Sequence, residues 1–290
     1  MMDLDLRRRF FAEELEAVCS LRSRALVGGF AAVPREQFLR PGPWTVLAET
    51  TLLPGAEVQT RLTPDADAAR VYHNIVVAIE PSRQLFNGQP GTLGTWIDAL
   101  NPAPGGRLLH VGCGLGYYTA VMAHCVGAAG RVVAFEVDEV LAAEARENLK
   151  ADPRVEVRCG DASRPLEDSF DGILVNAGVT HPLDNWLDAV APGGRMVLPL
   201  TATMAAMGPL GKGIVVLLTK QQDDEFAAQA IGFTMIYSAI GLRDPAVNEQ
   251  LGKAMMGGPG RWQAIKRLRR DQHEAGDSCW LHGQTFCLGM

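Results

Sequence analysis

The sequence predicts an α/β fold: a mostly parallel seven-stranded sheet ending in an antiparallel hairpin, with extensions at both chain ends. Three observations predict it. From about residue 92, short apolar segments alternate with helical ones, the pattern of βαβ units with helices on both faces of a sheet. A glycine loop, Val111-Gly112-Cys113-Gly114-Leu115-Gly116-Tyr117, falls between a strand and a helix. Two later strand-like runs, 213–219 and 226–237, are separated only by the polar turn 220–225. They must pair antiparallel, because a parallel crossover needs roughly a dozen residues or more.

Residues 5–40 read as helical, with Leu15, Val18 and Leu21 at helical spacing and Gly28-Gly29 stopping the run. A mixed stretch follows, broken by Pro34, Pro54, Pro64 and Pro81. Within it, Thr63-Pro64-Asp65 ahead of 66–79 has the form of a helix start, which places His73 and Asn74 structurally in that helix. Strands are expected at 107–111, 131–136, 155–159, 172–176 and 195–200, and helices at 118–126, 139–150 and 183–190. The tail from about 241 shows two helical stretches and a final alternating segment, 279–288. Its stretch 261–270 reads as a basic amphipathic helix, a solvated charged face or a site for an acidic peptide or partner. The expected organisation is an N-terminal substrate-side extension (1–85), a cofactor-binding core (86–240) and a C-terminal extension (241–290).

Composition narrows the function classes. The chain has 290 residues, 47% hydrophobic, and a net charge of −6, against the basic footprint of a general nucleic-acid binder. The first residues lack the basic-then-apolar order of a signal peptide, and no apolar run approaches the roughly 20 residues of a membrane span. A cytoplasmic protein with no membrane and no nucleic-acid partner is expected. The six cysteines are scattered without a Cys-x-x-Cys pair, so they read as small buried apolar residues and no metal is assigned.

The glycine loop carries the chemistry. Gly112 and Gly114 permit positive φ and close backbone approach, and the following helix offers unpaired N–H groups to a ligand. Glu136 ends the second strand, where a nucleotide-binding α/β unit presents a carboxylate to ribose hydroxyls. Asp138 beyond it reads as a helix cap. Asp161, after the third strand, lies at the same carboxyl edge, placed either for the adenine amino group or in a plain Asx turn. The G-x-G-x-G spacing and terminal hairpin favour S-adenosylmethionine over NAD, since dinucleotide folds use G-x-G-x-x-G and continue in parallel.

These residues resemble protein-L-isoaspartate O-methyltransferases, which have the Rossmann-like class I methyltransferase fold. The likeness is carried by 110–120 with its glycine-tyrosine ending, by Gly160-Asp161-Ala162, by the fourth strand 170–177, by 187–199 with Pro192-Gly193-Gly194, and by 30–38. The resemblance implies an S-adenosylmethionine site of Gly112, Cys113, Gly114, Gly116, Tyr117, Glu136, Asp161, Ala162 and Asn176, with S-adenosylhomocysteine as product. It also implies methyl transfer to a carboxylate. The family's serine-bearing substrate segment departs here to 86–95, with Pro90 and Gly91 and without the aligned serine. Asn87, Gln89 and Thr92 occupy the place where the family gathers its substrate.

A carboxylate acceptor is already ionised and needs no base, so proximity and orientation suffice. Were the acceptor an amine or hydroxyl, a base would help, and His181 in the loop after strand four is the candidate. Asn176 is placed to orient the acceptor or the methionine moiety. The leading expectation is an O-methyltransferase acting on a peptide or protein carboxylate other than the standard isoaspartate. A small-metabolite methyltransferase and a non-catalytic S-adenosylmethionine-binding module are the alternatives. The oligomeric state stays open.

Overall fold

The computed structural model describes residues 3–47, 60–83, 85–204, 210–222 and 225–290. Pro54 and part of the 220–225 turn lie outside them. The chain divides into two compact units. The first comprises Met1–Gly105, Cys113–Val132 and Asp138–Val157; the second comprises Gly106–Gly112, Val133–Val137 and Arg158–Met290.

In the first unit, helices α1 (Leu4–Cys19) and α2 (Arg24–Ala32) replace the single run expected over 5–40. The break falls at Ser20, in the left-handed region at φ 52°, and α2 continues through Gly28-Gly29. Packing explains why glycines that cost a helix about 0.5–1 kcal/mol persist there. A Cβ on Gly29 would stand 3.2 Å from Val121 Cγ1 and 3.3 Å from the Val121 carbonyl oxygen, on helix α4 (Tyr117–Val126).

The helix expected over 66–79 does not form. A 3-10 turn spans Ala68–Val71, and strand β3 (Val77–Glu80) joins β1 (Thr45–Leu47), β2 (Thr60–Leu62) and β4 (Leu85–Asn87) in a sheet ordered β2-β1-β3-β4. The cause lies upstream. Arg35 is fully buried (0% exposed) and donates to the carbonyl oxygens of Val71 at 2.7 Å, His73 at 3.1 Å and Ile75 at 2.8 Å. Three carbonyls converging on one guanidinium are incompatible with a helix, whose carbonyls all point along its axis. Helices α3 (Pro90–Leu100) and α5 (Glu139–Leu149) complete the unit. As expected, Asp138 caps α5, accepting from the N–H groups of Val140 and Leu141.

The large sheet is built of β5 (Arg107–Val111), β6 (Arg131–Glu136), β7 (Val155–Cys159), β8 (Phe170–Val175), β9 (Val190–Thr203), β10 (Leu210–Lys220) and β11 (Phe226–Tyr237). Helix α6 (Asp184–Ala189) leads into β9. β8 is parallel to β5 and β9, whereas β10 is antiparallel to β9 and β11, the hairpin the sequence requires.

The tail holds α7 (Pro245–Met256), the short α8 (Pro259–Trp262), β12 (Arg267–Arg269), β13 (Cys279–His282) and β14 (Cys287–Gly289). Its three strands lengthen the expected seven-stranded sheet to ten, ordered β13-β14-β12-β11-β10-β9-β8-β5-β6-β7. The basic helix expected over 261–270 is corrected: helix ends at Trp262 and Arg267–Arg269 is a strand. Leu268 is buried between its partners Phe226 and Leu288 while its arginine neighbours are less covered, a period-2 pattern that pairing selects over the helical one. The reading of the cysteines is also revised. Cys113, Cys125 and Cys287 are buried, but Cys159 is exposed, and Cys279 and Cys287 join His273 and His282 in a cluster that a search for Cys-x-x-Cys pairs overlooks.

Candidate cofactor site

In the second unit, backbone hydrogen bonds register the carboxyl ends of the central strands. Gly112 N–H donates to the Phe135 carbonyl at 2.8 Å, Asn176 N–H to Val111 at 2.8 Å and Gly160 N–H to Glu136 at 2.9 Å. Gly112, Glu136, Gly160 and Asn176 therefore share one edge of the sheet. Gly112 leaves β5 at φ 79°, and a Cβ on it would meet the Asn176 carbonyl oxygen at 3.3 Å. The Asn176 side chain spends its Nδ2–H on the Gly112 carbonyl at 3.2 Å, so it braces the loop. Glu136 is buried at the end of β6, 8% exposed, where a carboxylate persists only with polar partners.

Asp161 forms an Asx turn, the plainer of its two expected placements. Its two carboxylate oxygens accept the Ser163 N–H at 2.8 Å and the Ser163 hydroxyl at 2.7 Å, each keeping a further lone pair. The carbonyl of buried Ala162 accepts from Asn185 Nδ2 at 3.0 Å and Trp186 Nε1 at 2.8 Å, which pins this turn onto α6.

His181 follows in the same unit. Thr180 is fully buried (0% exposed), and its hydroxyl accepts the Asp244 N–H at 3.0 Å. It also lies 2.8 Å from His181 Nδ1, a hydrogen bond whose direction follows the tautomer of the ring. Burial lowers the pKa of this imidazole, Asp244 and Asp184 offsetting part of the effect, and the ring stacks on Phe286 with centroids 5.9 Å apart.

In the first unit, Cys113 is buried, Gly114 (φ 55°) and Gly116 (φ 94°) complete the loop, and Gly116 opens α4. A Cβ on Gly116 would lie 2.6 Å from Leu149 Cδ1, so glycine lets the loop seat on α5. The Tyr117 side chain points into an aromatic cluster of Phe38 at 5.8 Å, Phe30 at 6.4 Å and Tyr118 at 5.0 Å. The Arg35 guanidinium lies over its ring at 5.9 Å. Tyr117 thus serves the loop through its backbone.

The segment expected to gather the acceptor lies at the start of α3. Asn87 is buried at the end of β4, and Gln89 is the N-cap. The Thr92 hydroxyl donates to Gln89 Oε1 at 3.1 Å, and Gln89 Nε2 donates to the Asn74 carbonyl at 3.2 Å. A Cβ on Gly91 would meet Cys19 Sγ at 2.6 Å and Asn74 Nδ2 at 2.9 Å, so this turn has no room for a larger residue. Tyr118 donates its hydroxyl to the Gly88 carbonyl, tethering the segment to α4. His73 and Asn74 are structural although outside a helix, His73 Nε2 meeting Arg7 at 2.9 Å and Asn74 Oδ1 accepting the Gly91 N–H at 2.8 Å. Sequence reasoning missed Arg35, whose burial no local pattern signals.

The mostly parallel sheet closed by an antiparallel hairpin is that of the Rossmann-like, S-adenosylmethionine-dependent class of methyltransferases. Likeness to known proteins carries the assignment further. A family model described as protein-L-isoaspartate(D-aspartate) O-methyltransferase matches residues 60–236, more than half of the chain. The protein-L-isoaspartate O-methyltransferase of Methanopyrus kandleri is 40% identical over 198 residues, 67% of this chain and 76% of its own. That of Methylorubrum extorquens is 30% identical over 231 residues, 78% of this chain and 86% of its own. The chain belongs to the protein-L-isoaspartate O-methyltransferase family. Solved structures share the fold. One protein-L-isoaspartate O-methyltransferase gives a TM-score of 0.57 at 20% identity, covering 84% of this chain and 69% of its own. A Plasmodium falciparum structure titled a putative member, in complex with S-adenosyl-L-homocysteine, gives 0.58 at 16% identity, covering 80% and 97%. Among the described residues, no helix is long and apolar enough to cross a membrane.

Proposed function

We propose that this methyltransferase esterifies a carboxylate on a peptide or protein, and that its preferred acceptor differs from the standard isoaspartyl residue. S-adenosylmethionine supplies a methyl group on a sulfonium, open to in-line displacement. The backbone of Gly112, Cys113, Gly114, Gly116 and Tyr117 holds the cofactor, Glu136 accepts from its ribose hydroxyls, and Asp161 and Ala162 border its adenine. Asn176 holds the loop and faces the methionine moiety. Residues 86–240 serve as the core, with 1–85 and 241–290 as extensions.

The observation that carries the carboxylate reading is the match of residues 60–236 to the protein-L-isoaspartate(D-aspartate) O-methyltransferase family model. Burial favours the neutral His181 ring, and Thr180 engages its Nδ1 at 2.8 Å. An anionic acceptor needs orientation and no base. Asn87, Gln89 and Thr92 are the further acceptor-binding residues. The Pro90-Gly91 turn and the Thr92–Gln89 bond support a changed preference, because the hydroxyl in this segment is already engaged.

Labelled S-adenosylmethionine offered with isoaspartyl, aspartyl and C-terminally amidated peptides tests the reading. The expected product is a base-labile methyl ester, formed faster on a non-isoaspartyl carboxylate. Base-stable label indicates an amine acceptor and refutes the carboxylate reading. Fastest turnover on the isoaspartyl peptide refutes the changed preference alone.

A further inference from the structure

The C-terminal extension brings together a set of side chains that methyl transfer does not use. His273 lies in the connection after β12, Cys279 and His282 on β13, and Cys287 on β14. Cross-strand pairing sets His282 directly opposite Cys287. One ligating atom from each of the four lies within 4.8 Å of all the others. Tetrahedral zinc, with Zn–N about 2.0–2.1 Å and Zn–S about 2.3 Å, separates its ligand atoms by about 3.3–3.8 Å. The separation of His273 Nε2 and Cys279 Sγ, 3.6 Å, already has that value.

The surroundings prepare the donors. His273 Nδ1 lies 3.0 Å from the Asp271 carbonyl, which can only accept, so Nδ1 carries the proton and Nε2 presents its lone pair toward Cys279. The two imidazoles meet edge to face with centroids 4.8 Å apart. Among the described residues, His282 Nδ1 is buried with no hydrogen-bond partner, an uncompensated polar atom that coordination would satisfy.

We propose that His273, Cys279, His282 and Cys287 form a structural zinc site that fastens the 270–278 connection to the β13–β14 hairpin. Two imidazoles and two thiolates gathered within 4.8 Å of one another select zinc among the common divalent ions. Four protein ligands leave no open position for substrate, which makes the role structural.

The test uses the full chain purified under reducing conditions, with metal content measured directly and Co(II) titrated into metal-free protein. The expected results are about one zinc per chain, an intense tetrahedral Co(II) d–d spectrum and a thiolate-to-cobalt charge-transfer band. Cys279→Ser and His273→Ala should each lose most of the bound zinc, with S-adenosylhomocysteine binding measured alongside as a control for folding. The wild-type cobalt spectrum decides even where a variant does not fold. A weak octahedral spectrum without the charge-transfer band overturns the proposal. So does zinc retained at full affinity in a folded Cys279→Ser protein, or a Cys279–Cys287 disulfide in place of bound metal.

Discussion

Gly116→Ala is expected to destabilise the protein by about 2–5 kcal/mol, through two contributions that can be separated. Gly116 stands at φ 94°, a conformation that costs an L-residue about 1–2 kcal/mol. The added Cβ would also lie 2.6 Å from Leu149 Cδ1 and 3.2 Å from its Cγ. Leu149 is only 4% exposed and cannot swing clear, so overpacking adds about 1–3 kcal/mol. Gly112→Ala is the control. It carries a similar backbone cost at φ 79°, but its nearest neighbour is the Asn176 carbonyl oxygen at 3.3 Å, a milder contact. Urea unfolding of both single variants, of Leu149→Ala and of Gly116→Ala/Leu149→Ala gives the coupling between positions 116 and 149. It should be about 1–3 kcal/mol in favour of the double variant. A coupling below about 0.5 kcal/mol, with Gly116→Ala no worse than Gly112→Ala, refutes the packing argument.

Glu136→Gln removes the charge from the proposed ribose acceptor and should weaken S-adenosylhomocysteine binding about 10- to 150-fold by calorimetry, from the roughly 1.5–3 kcal/mol of a charged hydrogen bond. Unchanged affinity removes Glu136 from the site. Arg35→Met strands the carbonyls of Val71, His73 and Ile75 and should cost at least about 3 kcal/mol in denaturant unfolding. Arg35→Lys should rescue little of it, since an ammonium lacks the planar fork, and full rescue would contradict the geometry. Burial pushes His110 down to about 3, below the ordinary value near 6.5. The folded value is the lower one, so the unfolded chain binds the proton first and stability falls as pH drops from about 6.5 toward 3, by up to about 1.4 kcal/mol per pH unit. Unfolding titrations between those limits should show a shallower acid slope for His110→Asn; equal slopes would exclude this histidine as a source.

The elements around the proposed cofactor loop were legible because their signals are local. A glycine loop, a strand-ending acid and a helix cap each lie within a few residues of the structure they specify, and Asp138 and the β10–β11 hairpin stand where the pattern put them. The departures have distant causes. The helix start at 63–65 is overridden by Arg35, whose guanidinium holds the carbonyls of 71, 73 and 75. Gly28-Gly29 do not end α2, because Val121 and His124 crowd that helix face. The periodicity of 261–270 is compatible with a helix until β11 and β14 supply partners for Leu268. The His/Cys cluster was readable only by counting histidines with cysteines, because its spacing from 273 to 287 mixes the two.

The tail's apolar side chains belong to the core of the second unit. Ile265, Leu268, Trp280, Leu281, Phe286 and Leu288 pack in the same buried cluster as Phe226 and Ala228 of β11. A chain trimmed at residue 240 would therefore uncover greasy surface beside a strand edge with unsatisfied N–H and C=O groups, the combination that invites intermolecular sheet growth. The smallest fragment to express intact is set by that shared interior, and it ends at the last strand.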